Sequence, residues 1–323
     1  SGVLGGLSPR LIEPDRLTVA EFLRQQGYHT ACVGKWHLGM DWVKQPGKSV
    51  AELSIEAPNQ VWNVDYTQPI ANGPNAVGFD YYFGISASLD MVPYTFIEND
   101  HVTANPTEEK AFAMMAGRAG RTTRKGPAAP DFEATQVLPR CIDKAVEYIN
   151  ARANASRQRQ PFFLYLPLAS PHTPIVPNEE FQGKSGLNPY GDFVMETDAG
   201  IGRVLKALDD HALAENTLVI ITSDNGCSPS ADYPELLAKG HDPSYVFRGH
   251  KADIFEGGHR VPFLVRWPTR VKPGSEHAGT VCLTDLFATV AKITGTPVPE
   301  DAAEDSVSFL PAFSGEPIES TRA

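Results

Sequence analysis

The chain alternates between short apolar runs and longer stretches in which apolar residues return every three to four positions. "ATQVLPRCIDKAVEYINARA" places Val137, Ile142, Ala145, Val146 and Ile149 along one side of a helix. "PFFLYLPLA" follows as a continuous apolar run, the mark of a strand buried on both faces. "YGDFVMETDAGIGRVLKALDDHAL" returns to the helical period, carrying Phe193, Thr197, Ile201, Leu205 and Leu208. "TLVIITSD" and "RVPFLVRW" read as second and third buried strands, and "LTDLFATVAKITG" as a last helix stopped by Gly295. Near the start, Leu17, Val19, Ala20, Phe22 and Leu23 give a helix an apolar face, with Thr18 as its cap and Gly27 as its stop, before a short buried strand at "HTACVG". Buried strands alternating with amphipathic helices predict an α/β fold, a mostly parallel sheet flanked by helices on both faces.

Residues 41–135 break this regularity. Proline, glycine and asparagine punctuate them, with short aromatic pieces such as "FDYYFGIS". Within them begins "AGRAGRTTRKGPAAP" (116–130), a basic, small-residue stretch that reads as a solvated loop. No repeat of 20–50 residues is present.

Bulk properties narrow the function classes. The 323 residues carry 39 acidic and 28 basic side chains, a formal charge of −11, which argues against a general nucleic-acid binder. A locally positive pocket for a small anion remains compatible with that charge. Cys32, Cys141, Cys227 and Cys282 are scattered without a CxxC pair, so neither a zinc cluster nor a dense disulfide frame is indicated. The apolar runs are far too short to span a membrane.

Polar groups gather where the predicted strands end, the place where α/β sheets hold their chemistry. "CVG" runs into Lys35-Trp36-His37, "FFLYLPLAS" into Pro171-His172-Thr173-Pro174, and "LVIITS" into Asp224-Asn225-Gly226; Lys251 precedes the third strand. Each has a plain alternative. Asp-Asn-Gly is a common turn, Lys35 a surface lysine, His172 an imidazole in a rigid turn, and His250 and His259 structural or rim residues. Together they outline one site for an anion and a cation. Asp and Asn oxygens suit Ca²⁺ or Mg²⁺ and not a soft metal, lysines suit an oxyanion, and a histidine can protonate a departing oxygen.

These residues carry a resemblance. "GYHTACVGKWHLG", "ASPHTP", "NTLVIITSDNG" and "FRGHKADIFEGGHRVPFLVRWP" resemble the sulfatases of the alkaline phosphatase superfamily, in that family's order and spacing, over about Leu17 to Leu310. The resemblance implies an alkaline phosphatase-like fold and sulfate ester hydrolysis. It implies that Asp224 and Asn225 bind one calcium ion (magnesium being the weaker candidate), and that Lys35 and Lys251 hold the sulfate oxygens. His37 would sit beside the nucleophile, and His172 would serve the leaving oxygen. Ser88 in "FGISASLDM" would contact the sulfate, with Ser86 as its competitor. The nucleophile implied is formylglycine, made from Cys/Ser-x-Pro-x-Arg by a formylglycine-generating or sulfatase-maturing enzyme. The substrate implied is a sulfated small molecule or glycan, and periplasmic or secreted localisation is the family's habit.

The chain departs from that pattern. Cys227-Ser228-Pro229-Ser230-Ala231 has alanine where the modified motif carries arginine and follows the metal strand, and Ser8-Pro9-Arg10 lacks the spacing. Both read as coincidences. The expectation is one catalytic domain over 1–323, truncated at the N-terminus so that the nucleophile segment is missing, with Ser1-Gly2-Val3-Leu4 as the continuation just after it, without the C-terminal subdomain, and with 41–135 as an irregular substrate-side insertion. The segment alone is then expected to be inactive. Two other readings stay open: a phosphate or phosphonate ester hydrolase of the same superfamily, and a non-catalytic sulfoglycan-binding relative.

Overall fold

The computed structural model describes residues 4–50 and 59–318, so Ser1, Gly2 and Val3, read above as a continuation, lie outside the described residues. Helix α1 (Val19–Gln25) starts where Thr18 Oγ1 accepts from the Glu21 N–H at 3.1 Å, and the chain turns out of it at Gly27, φ +84°. Strand β1 (His29–Lys35) follows, with Ala31, Cys32 and Val33 fully buried. It is the middle of the main sheet, parallel to β2 (Tyr81–Ile85) on one side and to β7 (Phe162–Tyr165) on the other. Beyond β2 the sheet turns antiparallel through β3 (Ile97–Glu98) and β4 (His101–Val102), giving the order β4-β3-β2-β1-β7. A small ribbon of β5 (Glu108–Lys110) and β6 (Gly126–Ala128) lies outside it.

Residues 41–135 are therefore no insertion set apart from the sheet. They supply β2 to β6, and Trp42, Val61, Val64, Tyr66, Phe79, Tyr94 and Phe132 belong to the largest hydrophobic cluster. The strands escape a periodicity search because they are short and surrounded by turns. Residues 51–58 of the same segment lie outside the described residues.

Helices α2 (Val137–Arg157) and α3 (Pro189–Asp210) pack on each other. The buried stripe of α3 is rotated from the predicted one. It runs through Phe193, Glu196, Gly200, Ala207 and Leu208, leaving Thr197, Ile201 and Leu205 half-buried. Two local reasons account for the rotation. A side chain at Gly200 would meet Ile142 at 2.8 Å, so only glycine lets the helices close. Glu196 is buried because it accepts from the Asn178 N–H at 2.9 Å and the Asn178 amide at 2.6 Å.

The other two apolar strands, β8 (Val219–Thr222) and β9 (Phe263–Arg266), form a separate antiparallel pair, with the short helices α4 (Tyr233–Ala238) and α5 (Glu256–His259) between them in sequence. Helix α6 (Leu286–Thr294) is the last α-helix among the described residues and ends at Gly295, φ +72°. Reading β7, β8 and β9 as buried on both faces needs correction. All three are half-buried, with Tyr165 45% and Leu264 60% exposed. Among the described residues β7 and β8 are each paired along one edge only, and a strand lacking a neighbour on one side cannot be covered as β1 is.

Candidate active site

The exit of β1 is fixed from both sides by backbone hydrogen bonds. The Lys35 N–H donates to the Pro167 carbonyl at 2.8 Å, that of Trp36 to Ile85 at 3.0 Å, and that of His37 to Ser86 at 3.0 Å. Glycines make this closeness possible. A Cβ at Gly34 would stand 2.2 Å from the Pro167 oxygen, and one at Gly84 1.7 Å from the Gly34 oxygen. Trp36 is buried as the anchor, its indole N–H donating to the Gly39 carbonyl at 2.8 Å. Lys35 and His37 on either side of it are half-buried.

Burial pulls the Lys35 ammonium below the ordinary lysine value; Asp224 opposes that shift, Lys251 adds to it, and Asp90 opposes it again. These four charges thus share one neighbourhood, although they come from four separate segments. His37 and His172 belong to it too. Burial lowers the proton affinity of each; Lys35 and Lys251 lower it further, while a backbone carbonyl and Asp90 support it. The partners also fix the tautomers. His37 Nε2 lies 2.8 Å from the Leu4 carbonyl and must carry the hydrogen, leaving Nδ1 open. His172 Nδ1 lies 2.8 Å from the Thr173 carbonyl, leaving Nε2 open. The peptide bonds Ser170–Pro171 and Thr173–Pro174 on either side of His172 are cis.

Ser88 is brought to the cluster, its hydroxyl 3.3 Å from His172 Nδ1. Its competitor Ser86 offers its carbonyl to His37 and is itself buried. Two residues beyond Ser88 is a group the sequence reading passed over. Asp90 Oδ1 is buried without a hydrogen-bond partner, and Oδ2 faces Arg124 at 3.4 Å. A carboxylate so placed supports the positive charge of Lys35 from inside the site. The signal that could have found it is an acid directly behind a candidate anion-binding serine.

The cation side is built differently. Asp224 is exposed at the end of β8, and Asn225 is half-buried with its amide nitrogen donating to the Gly226 carbonyl at 3.0 Å. That bond occupies the nitrogen and leaves the amide oxygen as the free donor. The two side chains thus present hard oxygens of the kind calcium takes. Among the described residues there is no cluster of three or more His, Cys, Asp or Glu side chains able to hold a metal. The donor type therefore fits a hard cation, and the described residues offer two side chains toward the roughly six to eight oxygens calcium collects. This loop is locked to the one carrying Lys251. The Gly226 N–H donates to Gly258 at 2.9 Å, the Lys251 N–H to the Cys227 carbonyl at 2.9 Å, and a Cβ at Gly226 would stand 1.8 Å from the Gly257 oxygen.

The other residues singled out have local tasks. Burial raises the Cys227 thiol, the wrong direction for a nucleophile. Ser8 accepts from the Gly5 N–H at 2.8 Å within a turn. His250 donates to the Lys251 carbonyl at 3.0 Å, and His259 lies exposed, 3.0 Å from the Ile254 carbonyl.

A family profile described as Sulfatase matches residues 8–296. The chain is 32% identical to the N-acetylgalactosamine-6-O-sulfatase of Bacteroides thetaiotaomicron over 98% of its own length and 63% of that protein's. It is 31% identical to human arylsulfatase A over 92% of its length and 51% of that protein's. It thus spans about half to two thirds of the curated relatives it matches. Among solved structures, one from work on glycosaminoglycan metabolism by Bacteroides thetaiotaomicron superposes with a TM-score of 0.79 at 30% identity, covering 97% of this chain and 67% of that one.

Proposed function

The chain belongs to the sulfatase family, and from that premise we propose that the protein hydrolyses sulfate esters in the cleft at the exits of β1 and β8. The observation that carries the reading is the convergence of Lys35, Lys251, His37 and His172 on one charge-coupled site, with Asp224 acting on Lys35.

In this reading Lys35, Lys251 and Ser88 hold the sulfate oxygens. Two half-buried ammonium groups facing each other repel, and an anion between them removes that cost while gaining charge-assisted hydrogen bonds. The leaving oxygen lies toward His172 Nε2. Burial, and after it the two lysines, lowers the proton affinity of this imidazole, and the charge of a bound ester would offset the lysines and favour the protonated, acid form. As the sulfur–oxygen bond lengthens, His172 Nε2–H gives its proton to the oxygen that departs. His37, with Nε2–H tied to Leu4, keeps Nδ1 as the open ring nitrogen that would accept a proton from the nucleophile. Asp224 and Asn225 would hold a calcium ion, which when bound supplies fixed positive charge against the developing negative charge. A formylglycine produced by a maturing enzyme would supply the nucleophile; residues 1–323 contain no Cys/Ser-x-Pro-x-Arg segment, and Cys227 is given no role. The substrate is a sulfated small molecule or glycan.

The test is hydrolysis of 4-nitrophenyl sulfate by the full-length protein produced together with a formylglycine-generating enzyme. Lys35→Ala, Lys251→Ala and His172→Ala are each expected to lower kcat/KM by about 10²-fold or more. Faster turnover of 4-nitrophenyl phosphate or of a phenylphosphonate ester than of the sulfate would overturn the reading.

A further inference from the structure

The opposite edge of the main sheet carries a second gathering of polar groups. Strand β1 begins at His29 and ends at Lys35, which sets the two about 20 Å apart at roughly 3.3 Å per residue. Around His29 is an open cleft of about 460 Å³ walled by Arg24, Tyr28, His29, Asp80, Arg152 and Gln160. It lies where the turn after α1, the last turns of α2 and the residue before β2 meet.

Its charges are unevenly answered. Asp80 is the one acid in its wall, and it is committed. Asp80 Oδ2 accepts from the Thr30 N–H at 2.9 Å and from the Thr30 hydroxyl at 3.2 Å, and Oδ1 lies 4.0 Å from Arg24, which also pairs with Glu21 at 2.7 Å. Arg152 has no such answer. Its Nε is buried without a partner, and it makes no ion pair among the described residues. One turn further along the same face of α2, the buried Ser156 hydroxyl has no partner either. Four buried side-chain polar atoms lack a partner among the described residues, and one of them belongs to Asp90 of the catalytic cleft. Two more lie side by side here, so this is a second place where the protein leaves polar groups for something else to satisfy. The rest of the wall offers donors. Tyr148 Oη donates to the His29 carbonyl at 2.9 Å, so its oxygen accepts from His29 Nδ1–H, also at 2.9 Å, and Nε2 is the open ring nitrogen. The Tyr28 hydroxyl, kept protonated by burial, and the Gln160 amide complete the set.

We propose that this cleft is a second anion site, taking a small oxyanion between Arg152 and His29 on the sheet edge opposite the catalytic cleft. The oxyanion meets the planar fork of Arg152. Burial and then Arg152 lower the proton affinity of His29, while Asp80 supports it. An anion beside Arg152 offsets that guanidinium, so His29 takes up a proton and Nε2–H becomes a second charged donor. The site needs nothing from the sulfatase reading, and its failure would leave that reading untouched.

The experiment follows the His29 imidazole of the full-length protein by NMR, its resonance assigned with His29→Gln, during titration with sodium sulfate, phosphate or acetate at constant ionic strength. A saturable shift toward the protonated imidazole is expected, half complete at about 1 mM. Arg152→Ala should weaken it roughly 10- to 100-fold, the range for one charged hydrogen-bonding contact, and Arg152→Lys, a point charge without the fork, should restore part of it. Lys251→Ala should leave the His29 titration in place, and Arg152→Ala should leave the turnover of 4-nitrophenyl sulfate in place, because the two anion sites are separate. Stronger binding of sulfate and phosphate identifies a tetrahedral dianion as the ligand, and stronger binding of acetate a carboxylate. No saturable shift with any of the three, or a shift equally strong in Arg152→Ala, overturns the site.

Discussion

Strands β1 and β8 are alike as sequences and unlike as structures. "HTACVGK" is the less apolar, yet its centre is sealed, whereas every residue of "VIIT" keeps contact with solvent. The difference is in the neighbours. β1 is hydrogen-bonded along both edges, and β8 has β9 on one edge only among the described residues. The two halves of the site inherit this contrast. Lys35 and His37 leave β1 held by three backbone hydrogen bonds to flanking segments, so the anion-binding half is built into the core. Asp224 and Asn225 leave β8 into partial exposure and are positioned mainly through the backbone contact of Gly226 with the loop of Gly257 and Gly258. A strand's apolarity fixes what it can bury, and its partners decide what it does bury.

The most severe way to break the contrast is to put a methyl group at each half's close approach. Gly34→Ala would place a Cβ 2.2 Å from the Pro167 oxygen at φ +135°, inside the sealed sheet. It should destabilise the fold by about 2–4 kcal/mol, measured by urea denaturation. Gly226→Ala would place one 1.8 Å from the Gly257 oxygen, in a loop outside the sealed sheet. It should cost less stability but separate Asp224 from Lys251, lowering turnover and calcium affinity together. Equal stability losses in both variants, with calcium affinity intact in Gly226→Ala, would refute the division of the site into a core half and a loop half.

A milder probe leaves the sequence alone. Amide hydrogen exchange at Ala31, Cys32 and Val33 should require opening close to global unfolding, while that at Ile220 and Ile221 should proceed through local opening several kcal/mol cheaper. Comparable protection in both strands would show that β8 is covered as well as β1 in solution.

What sequence could supply follows the same line. Capping and stop signals are local, so Thr18, Gly27 and Gly295 act as read, and α1 and α6 fall where expected. The strand-exit groups were also legible, because a polar cluster after an apolar run marks a sheet edge whatever surrounds it. Burial was not, since it depends on pairing partners that no local pattern encodes. Nor was the stripe of α3, where Glu196 and Gly200 face inward for reasons held by Asn178 and Ile142. Asp90 escaped because it is a half-buried acid, one oxygen sealed, with no distinctive neighbours in sequence.

The smallest expected effect concerns protons in the sealed half. His37 and His172 both have proton affinities lowered by burial, so the folded state holds them neutral where the unfolded chain would bind a proton. Between the lowered folded values and the unfolded value of 6.5, the unfolded state carries more protons, and stability therefore rises with pH across that window. Thermal unfolding followed from pH 7 down to 5 should show a falling Tm, and the double variant His37→Gln, His172→Gln should flatten the slope. Asp90 sharpens the assignment, because its negative charge supports the proton on both imidazoles against Lys35 and Lys251. Asp90→Asn removes that support, so both imidazoles should titrate at still lower pH and the acid limb of kcat/KM should move in the same direction. A limb that stays in place in Asp90→Asn, with imidazole titrations by NMR equally unmoved, would mean that the carboxylate answers Arg124 alone and takes no part in the charge balance of the site.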